Sequence, residues 1–144
     1  MTHVIETGRP GWLGLHWAPR LINAKPGNAD GKGRGLFAVA AIAKGELIDL
    51  ACTVPLTPEQ CLKLDKMLPF GDFYFAHPED PTAGLVILGM ASLCNHADRP
   101  NAHVDYQWEP DFGWVATLTA LADIAAGEEI TYHYRCAIWF ERDD

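Results

Sequence analysis

Leu93–Asn101 reads LCNHADRPN, and how this stretch is read decides the fold. Its nine residues hold an Asn-His pair, an acidic residue, an Arg-Pro turn signal and a second Asn. They follow the apolar LVILGM (Leu85–Met90), whose first five residues, Leu85–Gly89, read as a buried strand. A segment this polar continues a strand poorly. It suits a turn whose side chains and backbone amides hold something. Beyond it lies ITYHY (Ile130–Tyr134), where Tyr132 and Tyr134 are spaced to share one face of a strand. Before it lies GKGRGLF (Gly31–Phe37), a glycine-rich turn running into a strand.

Composition narrows the class. The chain has 144 residues, about one domain's worth. At 49% apolar residues it can bury a real core, which excludes global disorder. No apolar run approaches the ~20 residues of a membrane span. The N-terminal MTHVIETGRPGW has neither a basic start nor an apolar core of a secretory signal. Cys52, Cys61, Cys94 and Cys136 form no CxxC pair, so they read as reduced thiols rather than a zinc ribbon. Together these features lead us to expect a cytoplasmic domain. The net charge of −8 is uneven, +2 over residues 1–50 and −10 over residues 51–144. An acidic body disfavours direct nucleic-acid binding and suits a basic, lysine-bearing partner, although acidity also serves solubility alone.

Along the chain, residues 1–30 lack clear periodicity and read as a short strand or two with loops. Gly35–Ala41 and Glu46–Val54 read as strands flanking the turn IAKG, Ile42–Gly45. Thr57-Pro58-Glu59-Gln60 predicts a helix start: a capping Thr, Pro at the first helical position, and Gln completing a capping box. Cys61, Leu64 and Leu68 extend it as one apolar stripe to about residue 68. Phe73–Ala76 reads as a short aromatic strand. Val104, Tyr106 and Trp108 alternate with polar residues, and the turn Glu109–Gly113 makes a hairpin with Trp114–Ala122. AAIAKGELI (Ala40–Ile48) and ADIAAGEEI (Ala122–Ile130) match at six of nine positions, one strand–turn–strand solution used twice. The fold class is mostly β (α+β), with short strands and one inserted helix near 57–68.

Three stretches carry candidate chemistry, and each has a plain alternative. Gly31, Gly33 and Gly35 let backbone approach a ligand, or simply form a loop before a strand. Asn95-His96 offers an amide and backbone groups to a polar ligand, or forms an Asx-turn. A metal set of Cys94, His96 and His103 reproduces no zinc spacing, so no metal is expected. Tyr132 and Tyr134 position a reacting group, or are ordinary half-buried strand tyrosines.

Glycine turn, Asn-His turn and tyrosine strand, in this order, resemble the SET-domain protein lysine methyltransferases over roughly Gly31 to Tyr134. The family pattern NHSCxPN is matched at Asn95, His96, Pro100 and Asn101, while Ala97 and Asp98 replace Ser-Cys. Within the family's E-L-T-F/Y-D-Y motif, His133 replaces the usual Asp. The resemblance implies a SET-type β-rich fold whose C-terminal strand tucks beside the Asn-His turn in a pseudoknot. It implies a flanking segment 1–30, a catalytic domain 31–135 with an insert at about 55–84, and a short tail 136–144. It implies S-adenosylmethionine as cofactor, contacted by Lys32, Gly33, Arg34, Asn95, His96 and Tyr134, and the position of Trp139 after the tyrosine strand adds it as an apolar cover. Tyr134 matches the catalytic tyrosine, and Tyr132 and Tyr74 the substrate channel. The expected partner is a basic protein or peptide presenting a lysine, and a Tyr at 132 favours monomethylation. The sequence leaves the oligomeric state open, a homodimer included. Two other functions also stay open: a non-catalytic module of the same fold that binds a peptide or the cofactor, and a purely structural β domain.

Overall fold

The computed structural model describes residues 23–133, which form nine strands, one α-helix and two 3₁₀ turns. The strands are β1 (Ala24–Ala29), β2 (Gly33–Ala38), β3 (Leu47–Leu56), β4 (Tyr74–Ala76), β5 (Gly84–Ile87), β6 (Asn95–His96), β7 (Ala102–Glu109), β8 (Gly113–Ala120) and β9 (Glu129–Tyr132). One sheet has the order β1-β2-β9-β6, the other β4-β5-β3-β8-β7. Every pairing is antiparallel except β6 with β9, where Asn95 lies opposite Thr131 and His96 opposite Tyr132. That parallel pair is the pseudoknot that the resemblance implied. Among the described residues no helix is long and apolar enough to cross a membrane.

Glycines set the hairpins. The β1–β2 connection turns at Gly31, whose φ of +75° suits the third position of a tight turn. β2 then begins at Gly33 and ends at Ala38, earlier at both ends than the expected Gly35–Ala41. The reason is β1, a strand of sequence AKPGNA that pairs through Ala29↔Gly33 and draws the glycine turn into the ladder. Its Pro and Gly are tolerated because β1 is an edge strand. The hairpin of β7 and β8 closes at Glu109↔Gly113, as the sequence predicts.

The helix α1 (Pro58–Asp65) has the predicted capping box: Gln60 N donates to Thr57 Oγ1, and Thr57 N donates to Gln60 Oε1. It stops short of residue 68. Met67 N reaches back only three residues to Leu64 O, and Pro69 disfavours the helical conformation at Leu68. Of the expected stripe only Cys61 is buried, and Leu68 is exposed. The core instead gathers Leu36, Leu118, Ile124 and Ile130 from strands of both sheets and their connections.

The two copies of the repeated turn meet back to back. Ile42 and Ile124 exchange both backbone hydrogen bonds at 2.8 Å, and both side chains are buried. Gly45 and Gly127 have φ of +85° and +84°. In each copy the following glutamate caps its own turn: Glu46 Oε2 accepts from Ala43 N, and Glu128 Oε2 from Ala125 N. One local solution is thus used twice, as the sequence indicates.

Candidate functional site

The Asn-His stretch is more ordered than a turn. Met90–Leu93 forms a 3₁₀ turn and Asn95–His96 a two-residue strand, because β9 supplies the backbone partners that the local sequence lacks. Asn95 donates from Nδ2 to Arg34 O (3.3 Å) and to Glu129 Oε1 (2.7 Å). It thereby ties the glycine-rich strand β2 to β9. Lys32 Nζ lies 3.9 Å from Glu129 Oε2. The tightest approach is at Gly35, where a Cβ would sit 2.7 Å from Glu129 Oε1 and 2.9 Å from Asn95 Nδ2. Gly33, by contrast, has open space around it, and its need for glycine is the φ of +76°. The structure therefore brings Lys32, Gly33, the Arg34 backbone and Asn95 together and adds Glu129, which sequence reasoning missed. Glu129 follows the repeated turn, which is where a sequence reading assigns it. Of the three glycines expected to permit a close approach, Gly35 is the crowded one.

Both signs of charge meet here, Lys32 and Glu129, beside the Asn95 amide and the Arg34 backbone carbonyl. Such a set fits the zwitterionic end of an amino acid: a cationic side chain for its carboxylate, carboxylate and amide oxygens for its ammonium.

Alternation along β9 gives the strand a second duty. Glu129 turns toward Asn95, whereas Tyr132 lines a cleft of about 580 Å³. Tyr74, Phe75, Tyr106, His103 and His133 share its walls. The Phe75 and Tyr132 ring centroids are 5.3 Å apart. Tyr74 stands in the wall as expected, but its hydroxyl donates to Asp65 Oδ1 at 2.6 Å, so it shapes the cleft mainly with its ring. Phe75 and Tyr106 were legible only as strand aromatics. Tyr134 and Trp139 lie outside the described residues.

His96 is buried, with Nε2 3.1 Å from Asp98 Oδ1 and its ring centroid 4.8 Å from that of His133. Cys94 and His103, weighed with it as a metal set and set aside, have other surroundings. His103 pairs with Asp105 at 2.6 Å, and Cys94 is buried with its thiol pushed up to about 12, first by desolvation, then by the charges of Glu129 and Asp49. Such a thiol stays protonated and inert. Cys52, Cys61 and Cys94 form no disulfide.

Comparison with known proteins follows from this geometry. The sequence model of the family described as SET domain matches residues 33–135. A search of curated protein sequences returns no match. Among solved structures, the chain is similar to PFL0690c of Plasmodium falciparum, a candidate histone methyltransferase, with TM-score 0.63 and 24% identity, covering 83% of this chain and 99% of that one. It is also similar to Polycomb Repressive Complex 2 of Chaetomium thermophilum. The autoinhibited form bound to S-adenosylmethionine aligns with TM-score 0.67 and 20% identity, covering 81% of this chain and 15% of that one. A humanized mutant of the same complex bound to the inhibitor GSK126 aligns with TM-score 0.64 and 21% identity, over 82% and 15% of the two chains.

Proposed function

The chain belongs to the SET-domain family, and on that premise we propose that it is a protein lysine methyltransferase that uses S-adenosylmethionine and favours monomethylation. The observation that carries the reading is the double duty of β9. One face holds Glu129 against Asn95 and the glycine-rich strand, and the other holds Tyr132 in an aromatic cleft. A two-sided site of this kind lets a charged cofactor and a lysine side chain approach from different directions. Support for the cofactor comes from the bare backbone of the glycine-rich strand at Gly33 and from the opposite charges of Lys32 and Glu129, which fit its methionine end.

When bound, S-adenosylmethionine supplies a methyl group on a positively charged sulfur. The chain's own work is to deliver a neutral amine. Removing the proton from a lysine of pKa ~10.4 at pH 7 costs roughly 4–5 kcal/mol. Aromatic walls formed by Phe75, Tyr106 and Tyr132 lower that cost by disfavouring the charged form, and the proton leaves to solvent before transfer. Holding the amine in line contributes the rest, since a positioned nucleophile needs no strong base. The hydroxyl of Tyr132 takes up room beside the amine, which limits further methylation. The substrate is a basic segment, matched to the acidic body of the chain.

Calorimetric titration with S-adenosylmethionine tests the reading. The wild-type chain is expected to bind in the micromolar range, and Asn95→Ala to bind about 10- to 100-fold more weakly, the worth of losing a charge-assisted hydrogen bond. Absence of binding by the folded wild-type chain would sink the enzyme. Binding without methylation of any lysine in a basic peptide pool would leave the non-catalytic cofactor-binding module.

A further inference from the structure

Two positions where this chain departs from the family's motifs, Asp98 and His133, come together in space around His96. Donor atoms of the three, one from each residue, all lie within 4.8 Å of one another. We propose that His96, Asp98 and His133 form a site for a divalent transition cation of the Zn²⁺ class, clamping the parallel pair β6 and β9. This departs from the sequence expectation of no metal, which considered a different set of residues.

Geometry carries the proposal. Ligands bound at ~2.0–2.1 Å in a tetrahedron stand about 3.3–3.4 Å apart. His96 Nε2 and Asp98 Oδ1 are already 3.1 Å apart. His96 is the fixed member, buried and 9% exposed, while the Asp98 side chain is 88% exposed and His133 is exposed. The two exposed side chains can therefore swing by the ~1 Å that closure needs without disturbing packed groups. Asp98 follows the end of β6 and His133 follows the end of β9. Among the described residues those strands share two residue pairs and one further bond, Ala97 N to Tyr132 O at 3.1 Å. A cation there would join the two strand ends just beyond this short ladder, and a water would complete its coordination.

The donor set selects the ion. Two imidazoles and one carboxylate suit Zn²⁺ or Co²⁺ and are a poor set for Mg²⁺ or Ca²⁺, which take oxygen ligands. Coordination through His96 Nε2 requires that nitrogen without a proton, so the imidazole proton then resides on Nδ1. Thiolate is not part of the set: Cys94 is buried and held in its protonated form.

The test uses the full chain stripped with a chelator, and its readouts are independent of methyl transfer. Titration with ZnCl₂ is expected to show one equivalent bound per chain, with a rise in melting temperature. His133→Asn and Asp98→Asn, both at exposed positions, are each expected to weaken Zn²⁺ at least about 10-fold while leaving the circular dichroism of the metal-free chain unchanged. Co²⁺ in place of Zn²⁺ is expected to give visible d–d bands of a low-coordinate nitrogen and oxygen site, with no thiolate charge-transfer band. Failure of the wild-type chain to bind Zn²⁺ overturns the proposal. So does wild-type affinity in either variant, or a thiolate band, which would move the ion to the cysteines.

Discussion

Under the proposed monomethylation, Tyr132 is the residue on which product choice would turn. It is half-buried, packed 5.3 Å from Phe75, and its ring lines the cleft that would receive the lysine. Replacing it by Phe removes one oxygen from that space and keeps the ring contact. Stability is expected to change by no more than about 1 kcal/mol, the net worth of an ordinary hydroxyl hydrogen bond. The product is expected to shift from mono- toward di- and trimethyl-lysine. Intact mass of a methylated peptide reads this directly. Abundant trimethyl product from the wild-type chain, or an unchanged distribution in Tyr132→Phe, would remove the monomethylation reading.

The element that builds the site is the strand pair β6–β9, and it depends on a side chain outside both strands. Asn101 Nδ2 donates to Glu129 O (2.8 Å), and Asn101 Oδ1 accepts from Thr131 N (2.9 Å), so one amide serves as a strand partner to β9. Asn101→Ala would leave a partly buried carbonyl and N–H without their partner, at about 1–3 kcal/mol each. A loss of about 2–4 kcal/mol is expected in urea unfolding, with the slope of the transition unchanged. Asn101→Asp, which keeps the acceptor for Thr131 N, is expected to recover part of it. Equal stability of Asn101→Ala and wild type would show that water replaces the amide. Local elements such as this one's neighbours differ in how far sequence reveals them. The Thr57–Gln60 capping box is complete within four residues and was legible in full. The hairpin at Glu109–Gly113 was legible because its turn and strands are contiguous. Asn95-His96 read as a turn because its strand partners, Thr131 and Tyr132, lie far along the chain. Glu129 and the Asp98–His133 cluster were hidden for the same reason: each gains its meaning only from a long-range contact.

At the scale of the whole molecule, the repeated turn explains how two sheets become one folding unit. Among the described residues the chain crosses between the two sheets four times, and two of these crossings, from β2 to β3 and from β8 to β9, are built by the repeat. Each of these two is one copy of the repeat, and each docks on the other's neighbouring strand. Gly45 N donates to Ala120 O and Ala120 N to Glu46 O, while Gly127 N donates to Ala38 O and Ala38 N to Glu128 O. Ile42 and Ile124 sit at the centre of this arrangement, 2% and 1% exposed. The duplication seen in the sequence is therefore a joint: two crossings that must form together, since each completes the other's hydrogen bonds. Ile42→Ala and Ile124→Ala are each expected to cost about 2–5 kcal/mol. The double variant is expected to lose less than their sum, by a coupling of about 0.5–3 kcal/mol, because the second truncation enlarges a cavity that the first has opened. Unfolding of each single variant, followed by Tyr and Trp fluorescence and by far-ultraviolet circular dichroism, is expected to give one coincident transition. Separate transitions, or strictly additive losses, would mean that the two sheets are stabilised independently and that the paired crossings only connect them.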